Sequence, residues 1–323
     1  MVHWRARHWE RVWFRRSISA GGHDRVTLRR PSRERAIDLL FLLPILAILV
    51  GFLFYPLVYG VVLSVHDTKG FEITALVGLD HYARAIFGDA VFHRSLLNTI
   101  LFTGAAVALQ IGIGLSLALL VTDVKRGRTF FVFAFFAPFV LAPVAVGAVW
   151  KFLFAPYFGI VPALGSAFGI DTATFAPLAD ANVALWAIMA AFLWRFVGFA
   201  MVVYLAGIET IPREYGEYAV LEGASSLQRV RRVAWPMLWP QTFVLVLLTT
   251  IGTLRIFDMV WIMTAGGPSH ATETVATDVY VTAFRFVEVG YAQAMAMILL
   301  ALIVLLAIVE YRILNRRAEM VSS

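Results

Sequence analysis

Apolar residues fall along this chain in six long blocks, with polar and charged residues gathered between them. The blocks cover roughly 36–65, 97–121, 130–150, 183–208, 238–263 and 290–315. Each reaches the ~20 residues that a helix needs to cross a hydrocarbon layer ~30 Å thick. The pattern predicts an all-α membrane protein with six transmembrane helices. Pro44, Pro56, Pro138 and Pro143 lie inside the blocks. Helices in lipid tolerate proline when neighbouring groups take up the freed carbonyls. The first block is too long for the apolar part of a secretion signal, and no small-x-small cleavage pattern follows it closely, so it reads as a retained span.

Composition supports this reading. Of the 323 residues, 60% are hydrophobic and 15% charged, whereas a soluble domain carries about a quarter charged residues. The chain has no cysteine, which excludes disulfides, thiolate nucleophiles and cysteine-ligated zinc.

The charges that remain are unevenly placed. Ten arginines precede the first block, and the second connection, the fourth connection and the C-terminal tail carry ten more basic residues. Five lie on the opposite side: Lys69, Arg84, Arg94, Lys151 and Arg285. Basic residues favour the cytoplasmic side of short loops, so both termini are expected in the cytoplasm. The arm 1–35 mixes its arginines with Trp4, Trp9, Trp13 and Phe14. Topology-setting charge is its simplest role and contact with anionic lipid a second; no nucleic-acid partner is expected.

The fourth connection, 209–237, has a legible local structure. Thr210 is placed to cap a helix whose first turn holds Pro212. Gly223 is a good stop because it tolerates a left-handed backbone. Ser225 or Ser226 can cap a second, arginine-rich helix that should end before Pro236. A helix, a sharp bend and a second helix form a stiff elbow suited to being gripped by a partner.

Glu217-Tyr-Ala-Val-Leu-Glu-Gly-Ala224, with Pro236 twelve residues on, resembles the EAA loop of ABC importer permeases. Glu217, Ala219, Gly223, Ala224 and Pro236 match that pattern; Tyr218 replaces its first alanine, and Glu222 stands where aspartate is usual. Tyr55–Ser64, Gly78–Tyr82, Ser95–Thr99, Leu205–Pro212, Phe257–Pro268 and Ala271–Thr274 are similar to segments of the first permease subunit of sugar-type importers. Thr264-x-Gly-Gly-Pro268 favours the maltose/glycerol-phosphate class. The resemblance covers about 36–318, which would form the permease domain, with 319–323 a tail. It implies a type I importer permease fold in the cytoplasmic (inner) membrane. The 209–237 loop would then be a coupling helix in a cleft of an ATPase, with Glu217, Tyr218, Ala219, Glu222, Gly223, Ala224 and Pro236 at or near the contact. Implied partners are a second, homologous permease, two ATPase subunits and an extracytoplasmic solute-binding protein. The solute would be a sugar or polyol, glycerol-3-phosphate included.

A solute crossing such a chain must meet polar or aromatic groups inside the spans, where ionisable residues are costly and often functional. Three such residues stand out: Arg195 in the fourth block, and Arg255 and Asp258 in the fifth. Arg195, flanked by Phe192, Trp194, Phe196 and Phe199, reads either as a packing residue bonded to carbonyls or as a donor to sugar hydroxyls. Arg255 and Asp258, three apart on one expected helix, read either as a mutual ion pair or as pore-lining groups. Thr249, Thr250, Gly252 and Thr253 offer hydroxyls to a solute or small surfaces for helix contact. The turn at Gly266–Pro268 is either a plain turn or part of a docking site for the binding protein.

Other functions find little support. None of the three lysines ends a phosphate-cradling loop, and the seven histidines lack metal-ligand spacing. No cofactor is therefore expected on this chain, and ATP and its Mg2+ belong to the partner ATPase. An ion-gradient-driven secondary transporter is the alternative, but it would want an internal repeat and mid-span carboxylates. No catalytic constellation supports a membrane enzyme.

Overall fold

The computed structural model describes residues 42–156, 158–168 and 176–322. The Arg-rich arm 1–35 and the start of the first block lie outside the described residues. Contacts divide the chain at Tyr55/Pro56. The described part of the first unit is the N-terminal half of helix α1 (Leu42–Ser64), which has a π-helical stretch at Val50–Phe54.

The second unit continues α1 into an antiparallel hairpin of β1 (His66–Lys69) and β2 (Glu72–Leu76), with His66 opposite Leu76. There follow a short helix α2 (Asp80–Ala83), the long α3 (Ala90–Thr122), α4 (Arg128–Val140), α5 (Pro143–Leu153), α6 (Ile160–Ala167) and α7 (Ala184–Thr210). The loop helices are α8 (Arg213–Leu221) and α9 (Ser226–Met237). Then come α10 (Trp239–Leu254), α11 (Asp258–Met263), α12 (Val275–Phe284) and α13 (Val289–Ser322).

Among the described residues, α1, α3, α7 and the Val289–Ile313 part of α13 are each long and apolar enough to cross a membrane. Two bent pairs, α4 with α5 and α9 with α10, raise the number to six if each counts as one span.

Two expected spans are corrected. The third block is not one helix, because α4 and α5 meet at 101°. Pro143 is the cause: it lacks an amide hydrogen and pushes the preceding residue into extended backbone. Leu141 and Ala142 are indeed extended, at ψ 143° and 141°. Pro138, by contrast, is accommodated inside α4. The fifth block breaks as well: α10 ends at Leu254 and α11 begins at Asp258. The Ile256 carbonyl exposed by that break accepts from Thr274 Oγ1 at 2.9 Å.

α3 and α7 form the centre of the packing. One cluster joins Phe102 and Ala106 to Ile188, Phe192 and Met259; another joins Ile111 and Leu115 to Met201, Tyr204 and Leu245. α4 lies so close against α7 that a methyl group on Gly198 would overlap the Phe135 carbonyl. Glycine at 198 is therefore required by a backbone-to-backbone approach.

Candidate functional site

A cavity of about 320 Å3 opens between α3, α4, α7, α10 and the α10–α11 break. Phe192, Arg195, Phe196, Phe199, Thr249, Gly252, Arg255 and Asp258 all line it, so eight of the eleven residues named for the solute path meet in one place. Thr253 does not: it is buried, and its hydroxyl donates to the carbonyls of Thr249 and Thr250.

The walls are largely aromatic. Phe192 stacks on Phe196 at 4.5 Å between ring centroids, and Phe139 on Phe199 at 4.7 Å. Trp194 turns aside to meet Trp150. Gln110, Phe139 and Pro143 also line the cavity and went unanticipated. Gln110 is buried, accepts from Thr249 Oγ1 and donates to the Phe196 carbonyl. Its sequence signal was an amide in the middle of a largely apolar block, twelve residues after Asn98.

The charged groups take different roles. Arg195 donates to the Leu141 carbonyl at 3.0 Å and the Phe139 carbonyl at 3.4 Å, with its guanidinium over the Phe196 ring. Arg255 and Asp258 do not share a helix face, contrary to expectation: Arg255 caps the end of α10 and Asp258 opens α11. Among the described residues they form no ion pair with each other; both border the cavity. The expected set of three intramembrane ionisable residues was also incomplete. Glu310, in α13, accepts from Thr250 Oγ1 at 2.7 Å.

The elbow forms as anticipated around its bend, with two corrections at its ends. Gly223 has φ +77°, and the Ala224 amide reaches back to the Ala219 carbonyl at 2.9 Å, a Schellman closure. Ser225 and Gln228 make a reciprocal capping box. Thr210, however, belongs to α7 and donates to Gly207 O, so Pro212 itself takes the capping position of α8. Pro236 sits inside α9 rather than beyond it, after a π-helical stretch at Val230–Ala234. A widened turn accommodates the missing amide. Glu217, Tyr218, Glu222 and Gly223 are exposed, while Ala219, Ala224 and Pro236 are partly covered. Leu221 is 82% exposed, Leu227 76% and Tyr218 65%.

The Thr264–Thr274 segment is a strap tied to α3. Asn98 Nδ2 donates to the carbonyls of His270 and Glu273, and Thr99 Oγ1 accepts from the Val275 amide. Thr272 closes the Gly266–Pro268 turn by bonding Gly267 O and Thr264 Oγ1. Behind it lies Asp278, 5% exposed, which accepts from Ser95 Oγ. Burial and the nearby Glu273 charge push the Asp278 carboxyl up to about 6. Nothing in the sequence pattern announced this pair of buried acids.

Residues 110–320 match the family described as binding-protein-dependent transport system inner membrane component. The chain belongs to this family. As such it is an ABC transporter permease of the inner membrane, with ATP hydrolysis carried on a separate subunit. This permease is 30% identical to the probable ABC transporter permease protein YurN of Bacillus subtilis, over 89% of the chain and 99% of that relative. It is 29% identical to a probable starch degradation products transport system permease protein, AmyD, of Thermoanaerobacterium thermosulfurigenes, over 86% and 94%. In fold the permease is similar to a chain in the crystal structure of a bacterial alginate ABC transporter in complex with an alginate pentasaccharide-bound periplasmic protein. The TM-score is 0.76 at 20% identity, covering 88% of this chain and 96% of that one.

Proposed function

We propose that this permease imports a sugar or related polyol, glycerol-3-phosphate included, and that its 209–237 elbow receives the stroke of an ATPase. The observation that carries the second part is the exposure of Leu221, Leu227 and Tyr218 around a bend held rigid by its own caps. Apolar side chains presented on a stiff, charged loop suit a complementary cleft. Glu217, Ala219, Glu222, Gly223, Ala224 and Pro236 would lie at or behind that contact. With basic residues concentrated on the elbow's side, both termini are assigned to the cytoplasm.

The working unit pairs this chain with a second, homologous permease, two ATPase subunits and an extracytoplasmic solute-binding protein. ATP binding closes the ATPases and draws the two elbows together, turning the pair from inward-open to outward-open. The binding protein then releases solute into the cavity, and hydrolysis returns the pair to inward-open. The cavity suits a polyhydroxyl solute: aromatic rings face its apolar surface, Asp258 accepts from hydroxyls, and Arg255 donates to hydroxyls or to an anionic group. The AmyD relative supports the sugar assignment.

The test is co-purification of the ATPase with tagged permease from the native membrane, before and after Gly223→Leu. A bulky residue at φ +77° disfavours the bend, so captured ATPase should fall at least tenfold with permease yield unchanged. Equal capture by the variant refutes the docking role. Solute uptake in ATP-free liposomes bearing only an ion gradient refutes the assignment altogether.

A further inference from the structure

We infer that Arg195 is a positioning residue that fastens the broken third span, and that α4 and α7 thereby form one lever between the elbow and the cavity. The geometry is specific. Pro143 cannot supply the amide hydrogen that the Phe139 carbonyl would meet in an unbroken helix. Arg195 Nη2 supplies a donor to that oxygen instead, and Nε bonds Leu141 O two residues on, where the backbone is extended. One planar fork thus covers two carbonyls exposed by one break, which a lysine could not match. Its positive charge also sits at the C-terminus of α4, where the helix dipole favours a cation.

Arg195 is one of three fastenings along the same pair of helices. One turn further along α7, Gly198 admits the α4 backbone at Phe135. At the far end, Arg128 at the start of α4 bonds Glu209 at the end of α7 at 2.7 Å, beside the elbow. The end held by Arg195 carries Phe139 and Pro143, both in the cavity wall. A displacement of the elbow therefore moves α7 and α4 together and reaches the cavity as a shift of that wall. Asp258 borders the same cavity but forms no ion pair with Arg195 among the described residues, so the two carbonyls and the Phe196 ring hold the guanidinium. This role assigns Arg195 to the wall and leaves Arg255 and Asp258 as the charged groups open to a solute. It rests on the elbow reading only for the origin of the force.

The absence of native cysteine permits a direct test. Phe133→Cys on α4 and Val149→Cys on α5, both exposed, are spin-labelled in the full-length chain in lipid nanodiscs, and the interspin distance distribution is read by pulsed EPR. Arg195→Met should shift and broaden the distribution; Arg195→Gln and Arg195→Lys should give intermediate widths, with Asp258→Asn like the parent. If the methionine variant fails to fold, the glutamine and lysine variants decide. Identical distributions in every folded Arg195 variant overturn the inference. A change in Asp258→Asn as large as in the Arg195 variants also overturns it, because charge balance rather than the carbonyl bonds would then hold the break. The ATPase-capture result for Gly223→Leu is independent of either outcome.

Discussion

Replacing Asp278 with asparagine should remove a pH dependence that the fold has built into itself. The parent carboxyl is 5% exposed; Glu273 and His270 on the strap and Asp89 at the start of α3 act on it by charge, and Tyr291 faces it as well. Burial and the Glu273 charge raise it from 3.8 to about 6, against the opposing Ser95 hydrogen bond. The folded protein therefore holds the proton more tightly than the unfolded chain. Stability contributed by this group is complete below the unfolded value and lost as pH rises from about 4 through about 6. A shift of some two pH units at ~1.4 kcal/mol each gives a loss of about 3 kcal/mol. The asparagine side chain has the same shape as the carboxyl it replaces, can still accept from Ser95, and never ionises. Melting curves of the detergent-purified chain, taken from pH 4 to pH 8, should converge at acid pH. Above about pH 6.5 the Asp278→Asn protein should be the more stable by roughly that amount. Parallel parent and variant curves across the whole range would refute the argument.

Three further outcomes follow from packing and hydrogen bonds. Gly198→Ala should push α4 off α7 and cost about 3 kcal/mol, read as a lower melting temperature. Asn98→Ala should strip donors from two strap carbonyls and cost ~2 kcal/mol, with faster proteolysis between Thr264 and Thr274 as the more local readout. Arg128→Ala should change stability by less than ~1 kcal/mol because its pair with Glu209 is exposed; a larger loss would mean that this fastening bears more than its geometry implies.

The six apolar blocks and the elbow were legible because their signals are local: length and hydropathy for the blocks, a left-handed glycine and a Ser-x-x-Gln box for the elbow. The same locality made the bend at Pro143 hard to anticipate. Pro138, five residues earlier, lies inside α4, whereas the break before Pro143 has its Phe139 and Leu141 carbonyls bonded by the distant Arg195, a contact no local pattern reports. The cavity residues were found mostly by their chemistry, as polar or charged groups in apolar surroundings. Phe139 was missed because one more phenylalanine in a phenylalanine-rich stretch carries no signal. Ser95 and Asp278 meet across 183 positions, and no periodicity reports such a pairing. Glu310 was overlooked although it is the only acid in its apolar block, a signal that sufficed on its own.

The bonds that close the bend are short-range: Ala224 to Ala219, Gly223 to Val220, Glu222 to Tyr218, and Ser225 with Gln228. Among the described residues, the bend itself is thus closed by local bonds. On the docking role proposed above, a module of that sort could be exchanged between sister proteins as a cassette, with a change of motor confined to this short stretch.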